Sequence, residues 1–179
     1  FDFCFGKNRK YCIEKLKELF NGEVLVIDEI KIDNIPVHSR IIREYLKDGN
    51  IKMANKLLGK EYKIYGQQIK GQGLGSKSFV PTINLKVDEF LLPQEGVYIT
   101  KTILDSKEYN SISFLGHRVT TDGSYAVETH ILDENITNDN YTTQIKFYEK
   151  IRDNKKFDNF ESLKKQILDD IELVRKYFK

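Results

Sequence analysis

Apolar residues recur through the first part of the chain at helical spacing. Between residues 11 and 20 they fall at Ile13, Leu16, Leu19 and Phe20 with Lys and Glu between them, and Asn21-Gly22 closes the run. Residues 23–32, in which Val24, Leu25, Val26 and Ile27 are unbroken, predict a buried strand, and Asp33-Asn34 predicts a turn. After Pro36 a helix beginning near Ser39 turns Ile41, Ile42, Tyr45 and Leu46 inward and stops at Asp48-Gly49; a second, Ile51–Leu58, ends at Gly59. These elements bury too little of one another to stand alone. Residues 1–58 therefore read as the tail of an α/β unit, in a chain that starts inside a domain.

From Glu61 the pattern changes to short runs rich in β-branched and aromatic residues. Strands are predicted at residues 62–69, 79–85, 96–104, 109–116, 125–132 and 144–151, separated by turn clusters such as Asp105-Ser106 and Thr121-Asp122-Gly123. Six strands with no helix between them predict an antiparallel sheet closed on itself, because closure removes exposed edges. A last helix follows, with Phe160, Leu163, Ile167, Ile171, Val174 and Phe178 on one stripe. Asp158 and Glu161 are spaced as a capping box at its start.

Composition adds bounds to this outline. The 179 residues are 40% hydrophobic and 31% charged, enough for a proper core, and no run approaches the roughly 20 apolar residues of a membrane span. The N-terminal segment lacks the pattern of a signal peptide, so a cytoplasmic chain is expected. Its 29 basic and 27 acidic residues are interspersed, giving a formal charge of +2 and no basic face for nucleic acid. Cys4 and Cys12 have no metal-ligand spacing, and neither have His38, His117 and His130. Neither a standard P-loop nor a Gly-x-Ser-x-Gly elbow is present.

Candidate chemistry begins at Gly71-Gln72-Gly73-Leu74-Gly75-Ser76-Lys77-Ser78. Gly71, Gly73 and Gly75 allow a tight turn whose N–H groups, with the Lys77 ammonium, converge on an anion; a ligand-free glycine hairpin reads equally well. Just beyond, Thr82 and Asn84 leave one face of a strand and offer two hard oxygens to a cation, while Pro81 and Ile83 leave the other. Glu128 sits in the apolar run 127–132, where a carboxylate is exposed, paired, or placed to act as a general base with its pKa raised by desolvation. Arg152 and Phe157 fall on a loop between the last strand and last helix, as a clamp for a planar ligand or phosphate, or as a plain basic loop.

Taken in order, Gly71…Gly75…Pro81-Thr82-Ile83-Asn84, Gly96-Val97-Tyr98, Gly116-His117-Arg118, Val127-Glu128-Thr129-His130-Ile131-Leu132, Tyr141, then Arg152…Lys156-Phe157 and a final helix resemble riboflavin kinase. In bacteria this is usually the C-terminal half of a bifunctional riboflavin kinase/FAD synthetase. Upstream, Asp2-Phe3-Cys4-Phe5-Gly6-Lys7-Asn8 and Ser39…Ile42-Arg43 resemble segments of the synthetase half. The resemblance implies a mainly β protein, a six-stranded antiparallel barrel with a C-terminal helix over residues 59–179, preceded at 1–58 by the incomplete end of an α/β nucleotidyltransferase domain. It implies transfer of the γ-phosphate of ATP to the 5′-hydroxyl of riboflavin to give FMN. Thr82 and Asn84 would bind Mg²⁺ and the nucleotide phosphates, the 71–78 loop would close over ATP, Glu128 would be the catalytic base, and Arg152 and Phe157 would border the flavin.

Departures from the family pattern are concentrated in loops. Ser78-Phe79-Val80 stands where Leu-Gly-Phe is usual, Val119 where proline is usual, Thr142 after Tyr141 where glycine is usual, and Asp153-Asn154 where Pro-Glu is usual. His38 and Arg40 replace a serine and a threonine in the synthetase tail. The Gly-x-Phe-Asp-Gly-x-His-x-Gly-His motif of the nucleotide-binding half is not in the sequence, so FAD synthesis is not expected of this chain alone. Two rival readings follow: a flavin- or nucleotide-binding module with impaired turnover, and a barrel that binds RNA or protein.

Overall fold

The structure, a computed structural model, describes residues 3–70, 80–120, 122–134 and 142–179. Gly71, Gly73, Gly75 and Lys77, the Ser78-Phe79 pair and Tyr141 lie outside the described residues. By its contacts the chain divides into two compact units, residues 1–38 and 39–179.

The first unit holds a short 3₁₀ turn (Lys7–Arg9), helix α1 (Ile13–Leu19) and a two-residue ribbon of β1 (Lys31–Ile32) and β2 (Ile35–Pro36). Asp33 and Asn34 join the ribbon with φ of 50° and 63°, a left-handed turn that Asp and Asn enter at low cost. The strand expected over 23–32 is not formed. Only its last two residues pair, and Leu25, Ile27 and Ile30 are 80%, 70% and 64% exposed. A strand is held by a neighbour's ladder, and no strand pairs with residues 23–29 among the described residues, so apolar sequence alone does not extend them into a sheet.

The second unit begins with α2 (Ser39–Lys47) and α3 (Ile51–Leu58). Asn50 caps α3 by accepting from Met53 N at 3.2 Å, and Gly59, left-handed at φ 67°, stops it. Six strands follow: β3 (Tyr62–Ile69), β4 (Ile83–Lys86), β5 (Gly96–Leu104), β6 (Lys107–His117), β7 (Tyr125–Ile131) and β8 (Thr142–Arg152). They close as an antiparallel barrel in the order β3-β4-β7-β6-β5-β8 and back to β3. Leu46, Ile51 and Ala54 of the two helices share one core with Ile64, Leu85, Tyr98, Leu115, Val127, Ile145 and Phe147 of the barrel. Asn55 fastens them further, donating to Phe147 O at 2.8 Å and accepting from Tyr62 N at 2.7 Å.

Helix α4 (Phe160–Tyr177) packs Ile171 and Val174 against the barrel's outer face at Val97, Ile99 and Ile112. Its cap is Asn159, which accepts from Ser162 N at 2.8 Å, one residue later than the box expected at Asp158. Asn159 carries the extended backbone, φ −153° and ψ 167°, that turns a cap side chain back over the first turn.

Inside the barrel, alternation does not produce a wholly apolar core. Thr100, Thr102, Ser111, Ser113 and Thr129 are fully buried and their hydroxyls close a five-membered ring. Thr102 bonds Ser111, Ser111 bonds Thr100, Thr100 bonds Ser113 and Thr102 bonds Thr129, each at 2.8 Å, and Ser113 bonds Thr129 at 3.0 Å. Each oxygen has two ring neighbours, so each can donate once and accept once, which satisfies buried hydroxyls without water.

Candidate active site

One row of side chains crosses the outer face of five strands. Asn84 of β4 faces Glu128 of β7, Glu128 faces Phe114 of β6, Phe114 faces Val97 of β5, and Val97 faces Arg152 of β8. Antiparallel partners point the same way, so all five belong to one surface, about 19 Å long at ~4.8 Å per strand. Arg152 reaches this row because β8 carries two irregularities against β5, between Val97 and Tyr98 and between Ile99 and Thr100. Without the two extra residues Val97 would face Lys150; two bulges keep the face and shift the partner. Gly96 allows the close approach of the strands here, since a Cβ at its φ of 156° would stand 2.5 Å from Arg152 O.

A cleft with about 220 Å³ of free volume lies over this row. Its floor is apolar at Val97, Ile112 and Phe114, and its wall is apolar at Phe157, Phe160, Leu163 and Ile167, ahead of and along α4. Polar groups stand at the two ends: Thr82, Asn84, Glu128 and Arg118 at one, Arg152, Asp170, Asn154 and Lys155 at the other. An apolar middle with a few fixed polar groups is the usual form of a small-molecule site.

At the first end Arg118 joins the two candidate groups. Its Nε donates to Glu128 Oε1 at 2.7 Å, with Nη2 2.6 Å from the same oxygen, and Nη2 donates to Asn84 Oδ1 at 2.7 Å. Nη1 donates to Ser124 Oγ at 2.7 Å, and Ser124 in turn bonds the Asp122 carboxylate at 2.9 Å. Glu128 is thus a paired carboxylate, 23% exposed, whose recorded bonds all fall on Oε1. Its ion pair answers what an acid is doing within an apolar strand. Arg118 sits at the start of the β6–β7 turn, where no periodicity marks it. In the sequence it stood out only as part of Gly116-His117-Arg118.

His130, two residues on, shares the Glu128 face and lines the cleft; its ring is 2.8 Å from Pro81 O through Nδ1. Burial holds this imidazole below its ordinary value of 6.5, against the opposing pull of the Pro81 carbonyl. Neutral, it donates from Nδ1 and helps fix the chain just before Thr82.

At the far end Arg152 grips Asp170 of α4, which is 1% exposed, through Nε at 2.9 Å and Nη2 at 2.8 Å. Gln166 completes the carboxylate at 2.9 Å. Nη1 donates to Asp153 O at 3.2 Å, so all three guanidinium nitrogens have a protein acceptor, and Cζ stands over the Phe157 ring, 5.7 Å from its centre. Arg152 and Phe157 are therefore brought together at one side of the cleft. The loop that carries Phe157 is tied to the β6 end: Asn154 donates to His117 O at 2.7 Å and Phe157 N to Thr120 Oγ1 at 3.3 Å. Glu95 supports that tie. Burial alone would raise its carboxyl, but bonds from His117 N at 3.2 Å, the His117 ring at 2.8 Å and Asn154 outweigh it and hold the group below the ordinary carboxylate value.

The cleft thus assembles Thr82, Asn84, Glu128, Arg152 and Phe157 from three separate parts of the sequence. No cluster of three or more His, Cys, Asp or Glu suited to a metal occurs among the described residues. A hydroxyl, a carboxamide oxygen and a carboxylate are nevertheless the hard donors that suit Mg²⁺, which takes one or two protein oxygens and completes its shell from phosphates and water.

The sequence profile of the family described as flavokinase, riboflavin kinase, matches residues 58–178. The chain belongs to the riboflavin kinase family. Among curated relatives, the bifunctional riboflavin kinase/FMN adenylyltransferase of Haemophilus influenzae is 31% identical over 99% of this chain and 59% of its own length. The protein of the same name from Buchnera aphidicola (Acyrthosiphon pisum) is 34% identical over the same shares. This chain therefore spans about three fifths of the curated relatives it matches. A crystal structure described as a macrolide-efflux protein from Streptococcus pneumoniae superposes with a TM-score of 0.88 at 33% identity, covering 98% of this chain and 58% of its own. No helix among the described residues is long and apolar enough to cross a membrane. In this member of the family, the Asn84–Glu128 pairing across β4 and β7 brings the 81–84 and 127–132 segments together.

Proposed function

We propose that this chain phosphorylates riboflavin, moving the γ-phosphate of ATP onto the ribityl 5′-hydroxyl to give FMN and ADP, in the cytoplasm. The observation that carries the reading is the cross-strand row, which sets Glu128 beside Asn84 at one end of an apolar floor that leads to Arg152. A flavin ring fits the middle, with Phe114 and Val97 beneath it and Phe157 and Arg152 beside it. The ribityl chain then points toward Glu128. Its carboxylate takes the 5′-hydroxyl proton as that oxygen bonds to the γ-phosphorus and the bond to the β-phosphate oxygen breaks, leaving ADP. Thr82 and Asn84 would hold Mg²⁺, which when bound neutralises charge on the phosphates. The 71–78 loop, through Gly71, Gly73, Gly75 and Lys77, supplies further donors to them. Arg118 keeps Oε1 of Glu128 occupied, which orients Oε2 as the base.

The decisive test is incubation with riboflavin, Mg²⁺ and ATP, followed by chromatography for FMN. FMN formation is expected; flavin binding without product would sink the proposal and leave a binding module. Thr82→Ala and Asn84→Ala are each expected to raise the KM for Mg-ATP with little change in flavin affinity, and unchanged nucleotide kinetics in both would remove them from that role. We further propose that residues 1–58 derive from the end of a nucleotidyltransferase domain, and that a longer natural protein also adenylylates FMN, as the names of the relatives state for them. Comparing FAD formation by that longer protein and by this chain tests it.

A further inference from the structure

Glu128 and Arg118 together are electrically neutral, and the guanidinium already bridges the two oxygens that the reading above gives to the cation's end of the site. The bridge is built rather than incidental. Arg118 is 18% exposed, spends Nε and Nη2 on Glu128 and Asn84, and has Nη1 fixed by Ser124, which Asp122 holds. The turn that carries it is closed by two backbone bonds, Arg118 N to Ser124 O at 2.9 Å and Gly123 N to Arg118 O at 3.1 Å. We propose that Arg118 is a positioning residue that competes with a divalent cation for Asn84 Oδ1, so that the site rejects free cation and admits only cation delivered by a triphosphate.

The argument is one of charge. A divalent ion arriving alone adds two positive charges beside a guanidinium in a partly desolvated cleft, where like charges repel more strongly than in water. The Glu128 carboxylate is already neutralised by Arg118, and Asp122 reaches the guanidinium only through the Ser124 hydroxyl. A metal–nucleotide complex carries net negative charge, so its arrival removes the repulsion, and Nη2 can leave Asn84 while Nε keeps Glu128 in place. Arg118 thereby acts on selectivity through Asn84 and on base orientation through Glu128.

This inference rests on the proposed kinase site, but its test uses neither riboflavin nor turnover. Binding of Mn²⁺ alone, followed by its electron paramagnetic resonance signal, is compared for the full chain and for Arg118→Gln. The variant is expected to bind free Mn²⁺ at least about tenfold more tightly, as removal of a like charge in contact with the site requires. The gain is expected to vanish in Arg118→Gln/Asn84→Ala, which locates the ion. Equal Mn²⁺ affinity in wild type and Arg118→Gln overturns the proposal, and so does a gain that survives loss of Asn84. Should Arg118→Gln fail to fold by circular dichroism, Arg118→Lys, which keeps the charge, and Asp122→Ala, which loosens the Arg118 support, carry the same comparison: Mn²⁺ affinity is expected unchanged in the first and raised in the second. The reverse order overturns it. Failure of wild type to make FMN counts against the kinase reading and leaves this result standing by itself.

Discussion

In the proposed reaction Glu128 carries two obligations that pull apart: it is bound to Arg118 through Oε1, and it would accept a proton from a hydroxyl. Using separate oxygens reconciles them. Glu128→Gln keeps the shape and an acceptor but loses the base, so kcat is expected to fall on the order of 10²–10⁴-fold, with flavin affinity by fluorescence quenching nearly unchanged. Near-normal kcat would take Glu128 out of the role. His130 makes a different kind of prediction. Its folded-state pKa is depressed mainly by burial, so below about 6.5 the unfolded chain takes up a proton that the folded chain resists. That share of stability is present above 6.5 and is lost as pH falls through the window between the unfolded and the lower folded value. His130→Gln is expected to flatten the decline in denaturation midpoint there, and an unchanged slope would refute it. At this scale the sequence was informative about what each residue is and poor on what it touches. That Thr82, Asn84 and Glu128 come together in one cleft was legible from motif order. Arg118 was not singled out, because a single arginine in a turn becomes significant only through the two strands that the barrel sets beside it.

Among the elements, strand positions and helix faces followed the apolar pattern closely, with β3 and β5 beginning and ending where it places them. The pattern failed where pairing decides. Residues 23–29 are as apolar as any strand in the barrel but have no paired neighbour strand among the described residues. The bulges in β8 were equally invisible, since no composition marks Tyr148 and Ile151 as surplus until Phe147 and Arg152 are matched to Thr100 and Val97. The hydroxyl ring is testable at this scale. Thr102→Val keeps the shape but removes one member, leaving Ser111 and Thr129 each short of a partner; a loss of about 1–3 kcal/mol is expected from urea denaturation. A neutral effect would mean that the ring contributes no net stability.

For the molecule as a whole, the question is where the catalytic unit starts. The riboflavin kinase match begins at residue 58, whereas the compact unit begins at Ser39, and Leu46, Ile51 and Ala54 belong to the barrel's core. A chain starting at Ser39 is therefore expected to fold and to make FMN. One starting at 59 loses that burial, including a fully buried Leu and Ile worth about 1.5–3 kcal/mol each, and is expected to melt far lower or not to fold. Equal melting temperatures would show that the two helices are dispensable. The sequence groups α2 and α3 with what precedes them because helices follow a predicted strand there. Their place in the core depends on contacts distant in sequence, such as Asn55 to Phe147 on β8, which local pattern does not encode.

The five-hydroxyl ring has one more consequence, which concerns its protons. With Thr102 donating to Ser111 and Ser113 to Thr129, the hydrogens can circulate in one sense, Thr102 to Ser111 to Thr100 to Ser113 to Thr129 and back, while Thr100 and Thr129 each also have a carbonyl in reach, Ser111 O at 3.1 Å and Ile112 O at 3.5 Å. Turning one hydroxyl out of that sense sets two hydrogens or two lone pairs against each other unless it turns to a carbonyl, as Thr100 and Thr129 can. Sealed from solvent, these protons should trade with water only when the barrel opens. Serine and threonine hydroxyls that are ordinarily lost to rapid exchange should here be visible in a proton spectrum, and their disappearance on warming would report the opening of β5, β6 and β7 as one event.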